Sequence, residues 1–334
     1  MTPKLLVTAL ALLLPRLDTH AQQQLPIIDM HLHAADRSLP WALCIPWVTQ
    51  VPVLEANKTW EESWKAMVTN PPCSNPIRSP TEPRALMEQT IAVLDRRNII
   101  GVLSGRPDRV LQWTAAAPHR LIPAVQFQLG RDAMSPDSLR HLLQSGKFAV
   151  FGEIGNQYSG IGPDDERMEP YWALAEALDV PVAIHMGEGL PGATFVVAPK
   201  YRARLTSPFL LEEVLTRHPR LRISVMHYAS PLIDEMIAML GAYPQLYVDI
   251  GGIQWFYPRP YFYDQLRRLI DAGFGKRVMF GSDQSDWPGV IEPAIAIIEE
   301  APFLSAEQKR DILYNNAARF LRLSKEEIAK HHRM

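Results

Sequence analysis

Apolar positions along this chain cluster in short, mostly apolar runs, separated by longer stretches where they recur every three or four residues. The runs lie at 26–33, 99–103, 121–127, 149–154, 181–185, 222–227, 246–250 and 277–280 and are rich in Val, Ile and Leu. Runs of that length and composition predict strands covered on both faces, as in parallel sheets. Helical spacing predicts helices over 82–97, 107–118, 135–146, 166–179, 208–218, 232–240, 261–272, 289–300 and 305–323. Ser135 is a candidate N-cap, and Leu210, Leu211, Val214 and Leu215 share one helix face, as do Phe262, Leu266, Leu269 and Ile270. Eight strands, each followed by a helix, predict a single-domain α/β fold, a (β/α)8 barrel. A doubly wound open sheet is the other arrangement this alternation allows. No Gly-x-Gly-x-x-Gly follows a strand, so nothing supports a dinucleotide site.

Two stretches break the pattern. Residues 34–81 after the first strand form a long irregular segment with Trp41, Trp47, Trp60, Trp64 and both cysteines. Loops of that length inside a compact domain are commonly lids or binding loops, so this insertion is expected to lower aromatic side chains over a site. A packed excursion away from any ligand is the alternative. The N-terminus has Lys4, the apolar run Leu5 to Leu14, and small residues at Thr19 and Ala21. This reads as a cleavable signal peptide over 1–21, leaving a barrel over 22–334 without a membrane anchor and exported to the periplasm or beyond the cell. In such a compartment Cys44 and Cys73 can pair or remain as two buried thiols, and the sequence leaves both open. The net charge of −2 among 334 residues excludes nucleic acid and anionic membranes as main partners. A small-molecule substrate is expected, and self-association of the chain is left open.

Chemistry concentrates at the strand ends, where barrels of this kind place their active sites. The first strand ends in Asp29-Met30-His31-Leu32-His33, and alternation on a strand is expected to put Asp29, His31 and His33 on one face. The fourth ends in Gly152-Glu153-Ile154-Gly155, the fifth in His185, the sixth in His227 and the eighth in Gly281-Ser282-Asp283. Imidazoles and carboxylates meeting on one rim suit zinc, manganese or iron. Taken singly, each residue has an ordinary reading, such as a hydrogen-bonded core histidine or a loop-capping aspartate.

The set His31-x-His33, His185, His227 and Asp283, with the Ile28-Asp29-Met30-His31 opening and the Phe280-Gly281-Ser282-Asp283 ending, resembles the amidohydrolase superfamily. The likeness is to its amidohydrolase-related branch. The resemblance implies a divalent metal, Zn2+ foremost and Mn2+ as the alternative, with His31, His33 and Asp283 as ligands of a first ion. In binuclear members a strand-four carboxylate bridges to a second ion held by strand-five and strand-six histidines, which would be Glu153, His185 and His227. In mononuclear members the strand-six histidine, here His227, is an acid/base or orienting group. Glu153 as a hydrogen-bond partner of His185 is the other reading of that position.

The chemistry implied is hydrolysis of an amide, ester or lactone in a small molecule. Metal lowers the pKa of bound water and so supplies hydroxide, while Asp283 relays its proton to the leaving group. Non-oxidative decarboxylation is the alternative, because related lyases use the same three histidines and aspartate with one metal. Asp29 is expected to orient a ligand. Arg202 and Arg204, beside Lys200 and Tyr201 after the fifth strand, and Trp255, beside Tyr257 and Arg259 after the seventh, are candidate substrate contacts. His331 and His332 lie in a charged terminal segment and are expected to be solvated.

Overall fold

The computed structural model describes residues 24–36, 40–131 and 134–334, so the leader expected over 1–21 lies outside the described residues. Eight parallel strands form one sheet in chain order: β1 Ile27–His33, β2 Ile99–Ser104, β3 Leu121–Phe127, β4 Val150–Ile154, β5 Val182–His185, β6 Ile223–Met226, β7 Leu246–Asp249 and β8 Val278–Met279. The two edges meet. The Met30 N–H donates to the Phe280 carbonyl and the Asp283 N–H to the His31 carbonyl, both at 2.9 Å. The result is the (β/α)8 barrel predicted from the runs.

Apolar residues pack in two layers. The larger lies between the strands and the surrounding helices. The smaller fills the barrel with Ile28, Met30, Ile100, Val102, Ala124, Val150, Ala183, Met226 and Met279. Tyr314, Ala317, Ala318 and Phe320 from the last long helix close it at the N-terminal end of the strands. That helix runs over Ala306–Arg310 and Asn316–Leu321 with a widened π turn, Asp311–Asn315, between them. Asn316 Nδ2 donates to the carbonyls of Gly275 and Val278, which ties the plug to the start of β8. A further helix, Lys325–His331, opens with a capping box of Ser324 and Glu327. It buries His331, whose Nδ1 lies 3.0 Å from the Tyr314 hydroxyl. The expectation of a solvated His331 is therefore corrected: the helix packs its last turn against the plug.

The 34–81 insertion is more regular than the sequence suggests. It contains the helix Trp60–Thr69, capped reciprocally by Thr59 and Glu62, and an antiparallel ladder of Ala42–Leu43 with Ile77–Arg78. Trp47 stacks on Trp255 at 6.0 Å and meets Phe256 and Trp287 edge-on at 5.7 and 5.6 Å. Pairs of this kind contribute about 0.5–1.5 kcal/mol each beyond area burial. The insertion is thus packed onto the loops after β7 and β8.

Cys44 and Cys73 form a disulfide that spans 29 residues and encloses this helix. Closing a loop of that size removes about 3–4 kcal/mol of unfolded-chain entropy. We expect Cys73→Ala, or reduction of the wild type, to lower stability by about 2–4 kcal/mol in chemical denaturation. An unchanged midpoint would show that the aromatic packing alone holds the insertion.

Candidate metal centre

β1 does not keep strict alternation. Its pairing with β2 slips between Asp29 and Leu32, so that Ile28 and Met30 face the barrel interior while Leu32 joins the outer layer. A bulge of this kind re-aims the side chains beyond it, and here it turns His31 and His33 into the barrel mouth. The expected common face for Asp29, His31 and His33 is corrected accordingly. Asp29 orients backbone rather than a ring: its Oδ1 accepts from the N–H groups of His31 at 3.0 Å and Ser282 at 2.9 Å. This ties the end of β1 to the loop that carries Asp283.

The predicted residues converge. His33 Nε2 lies 3.0 Å from Asp283 Oδ1 and 3.6 Å from Glu153 Oε2, while His31 Nε2 lies 3.6 and 4.0 Å from the same atoms. The His227 ring is 5.0 Å from that of His31 and 4.7 Å from that of His185. Close approach is made possible by glycines. A Cβ at Gly281 would lie 2.7 Å from His31 Cβ, and one at Gly187 would lie 2.7 Å from His227 Cβ.

Three of the four rings, those of His185, His227 and His31, are aimed by a partner on the far side. His185 Nδ1 faces Gln157 Oε1 at 2.9 Å, with the Tyr158 hydroxyl 3.0 Å from Nε2. His227 Nδ1 donates to the Gly251 carbonyl at 2.7 Å. His31 Nδ1 lies 3.4 Å from Asp249, a fully buried carboxylate at the end of β7. Asp249 Oδ1 also accepts from the backbone N–H groups of His227 at 3.2 Å and Gly251 at 2.9 Å. His227, Tyr228 and Ala229 all have positive φ, at 60, 42 and 55°. Non-glycine residues held there cost about 1–3 kcal/mol each, a strain that collects at functional sites.

Burial opposes charge on His31, but Asp283, Asp249 and Glu153 outweigh it and push the imidazole up to about 10. Burial likewise opposes charge on Asp283, yet His31 and His33 hold its carboxyl well below the usual carboxylate range. Burial, reinforced by His227, keeps His185 neutral, and burial raises Asp29 to about 6.

These residues fit a divalent ion. His31 Nε2 is buried with no hydrogen-bond partner. Three overlapping sets each gather their donor atoms within 4.8 Å of one another: His31, His33 and Glu153; His31, His227 and Asp283; and Glu153, His185 and His227. Imidazole and carboxylate donors with their far sides fixed are what transition-metal sites use.

A cavity of about 590 Å³ opens above the centre, lined in part by Glu153, His185, Asp283, Trp47 and Trp255. Trp47 is the insertion's tryptophan that reaches it. Arg202 and Arg204 are not among the lining residues, which corrects the expected substrate contacts. Arg202 is exposed and donates to the carbonyls of Pro199 and Tyr201 in its own loop. Arg204 is exposed, while Lys200 of the same loop lines the cavity. Asp249, Gln157 and Tyr158 were missed in the sequence. A polar residue next to the end of the seventh apolar run was the available signal for Asp249, whereas nothing in the loop after β4 singled out the other two.

Fold and site together define a (β/α)8 barrel whose mouth gathers imidazoles and carboxylates able to hold a metal ion. The amidohydrolase family model matches residues 28–323, and the chain belongs to that family. No curated protein matches the sequence. Among solved structures it is similar to an uncharacterized TIM-barrel protein from Bordetella bronchiseptica, at 18% identity and TM-score 0.59, covering 91% of this chain and 100% of that one. It is also similar to a 5-carboxyvanillate decarboxylase from Sphingomonas paucimobilis, at 14% identity, TM-score 0.57 and coverage of 90% and 100%. A probable 2-pyrone-4,6-dicarboxylic acid hydrolase from Acinetobacter baumannii is similar at 15% identity, TM-score 0.56 and the same coverage. At these identities the likeness is one of fold.

Two predictions follow from Asp249 and His31. Asp249→Asn should weaken metal affinity about 10- to 100-fold, read by competition with a chelator; unchanged affinity would remove Asp249 from the centre's support. In chelator-stripped protein, His31 has a folded-state pKa near 10 against an ordinary 6.5. Its contribution is complete below the lower value and is lost as pH rises through the higher one. The denaturation midpoint of the stripped protein should therefore fall between pH 7 and 10, and a flat profile would contradict the charge pairing.

Proposed function

We propose that the chain is a metal-dependent hydrolase of a small amide, ester or lactone, working with two divalent ions. Glu153 carries this reading: it belongs both to the donor set of His31 and His33 and to that of His185 and His227. A carboxylate shared in this way suits a bridge between two ions. His31, His33 and Asp283 would hold one, His185 and His227 the other, with zinc foremost and manganese as the alternative. Divalent metal bound there supplies Lewis acidity and an acidified water.

Asp283, whose Oδ1 lies 3.0 Å from His33 Nε2 at the cavity wall, is the proton acceptor as a water oxygen bonds to the substrate's carbonyl carbon. When the bond to the leaving nitrogen or oxygen breaks, the same carboxyl returns the proton to that atom. His227 has Nδ1 committed to the Gly251 carbonyl, which leaves Nε2 for the centre. Trp255, whose indole N–H donates to the Ser282 carbonyl at 2.7 Å, walls the cavity and steadies the loop of Asp283. Export by the leader over 1–21 completes the proposal, and the disulfide is the feature in keeping with it.

An ester, lactone, amide and carboxylic-acid panel run with zinc and with manganese tests this. Hydrolysis lost on chelation and restored by metal is expected. Asp283→Asn should lose about 10²- to 10⁴-fold in kcat with the fold retained. Two ions per chain in the wild type and fewer in Glu153→Gln would support the bridge. One ion per chain, with carbon dioxide released from a carboxylic acid and no hydrolysis, would replace this reading with decarboxylation.

A further inference from the structure

We infer that Glu188 and the aromatic wall beside it form a subsite for a protonated amine on the substrate. Glu188 follows β5 and lines the same cavity as Glu153 and Asp283. Its Oε1 accepts from the Tyr257 hydroxyl at 2.6 Å and the Ser230 hydroxyl at 3.2 Å, which fixes the side chain. Its Oε2 is buried without a hydrogen-bond partner. No lysine or arginine among the described residues lies within 4.0 Å of this carboxylate. The cations that line the cavity, Arg131 and Lys200, are both solvent-exposed.

The side chains that hydrogen-bond Glu188 are uncharged, and an aromatic series runs on from Tyr257. The Tyr257 ring that holds it packs on Phe256 at 4.9 Å, and Phe256 packs on Trp47 at 5.7 Å. Trp47, Trp255 and Phe256 line the cavity with Glu188. A half-buried carboxylate with donors on one oxygen and no counter-charge is costly to keep. Here the missing partner is supplied by a ligand cation. Aromatic faces add to the attraction, since a protonated amine over tryptophan or tyrosine rings gains from their quadrupoles. A carboxylate together with an aromatic wall selects an ammonium group over its neutral counterpart. The subsite therefore assigns the substrate class as an amide or ester with a protonated amine close to an aromatic or apolar portion.

The word substrate rests on the hydrolase reading, but the test does not need turnover. Metal-loaded protein is titrated calorimetrically with benzylammonium and with benzyl alcohol, matched in size and differing in charge. Wild type should bind the ammonium tighter by on the order of tenfold, and Glu188→Gln should bring the two probes level. Glu188→Asp keeps the charge and should retain the preference, which separates lost charge from disturbed packing. If Glu188→Gln does not fold, the wild type and Glu188→Asp decide the matter by the same comparison. Equal binding of the two probes by wild type, no binding of either, or a preference that survives Glu188→Gln overturns the subsite. Hydrolysis of a neutral ester without the preference leaves the hydrolase reading standing and this one refuted. The preference without hydrolysis does the reverse.

Discussion

Asp249 is fully buried at the tip of β7, and three separate pieces of the chain reach its carboxylate. His31 arrives from β1, the backbone of His227 from the turn after β6, and Gly251 from the turn after Asp249 itself. Hydrogen bonds to an ionised group contribute about 1.5–3 kcal/mol each, enough together to offset the desolvation of one carboxylate. In the metal-free centre the charge on His31 lowers the pKa of Asp249 against burial, and with a metal on Nε2 the same carboxylate would orient the neutral ring. Without this anchor the left-handed turn at His227 would lose one of its backbone contacts, and His31 its aim.

The fold was legible because a barrel needs eight buried parallel strands, and buried parallel strands have to be written as mostly apolar runs. The residues at the ends of those runs were legible for the same reason, since His31, His33, Glu153, His185 and His227 interrupt or end apolar segments and Asp283 follows the last one after Gly281-Ser282. Asp249 interrupts one too, but an aspartate before Ile250 and two glycines reads equally well as the start of a turn. The slip in β1 was not legible, because a register shift is settled by the neighbouring strand. It left the direction of Asp29 misjudged. Nor does a loop's composition say which way its side chains point: Lys200 lines the cavity and Arg202 turns back onto its own carbonyls.

The insertion after β1 and the loops after β7 and β8 share one aromatic cluster in which Trp47, Trp255 and Trp287 meet. The same residues face the cavity. Packing that secures the insertion therefore also shapes the wall that a substrate meets. This couples the disulfide-bonded segment to specificity without any direct bond between cysteine and ligand.

The inward residues of β1, Ile28 and Met30, pack in one cluster with Tyr314 and Phe320 near the opposite end of the chain. Arg310 also donates to the Pro26 carbonyl. During synthesis the first strand must wait, with its apolar face uncovered, until the last long helix has been made. Folding thus cannot finish in order of emergence, because the beginning of the polypeptide is covered only once its end is available.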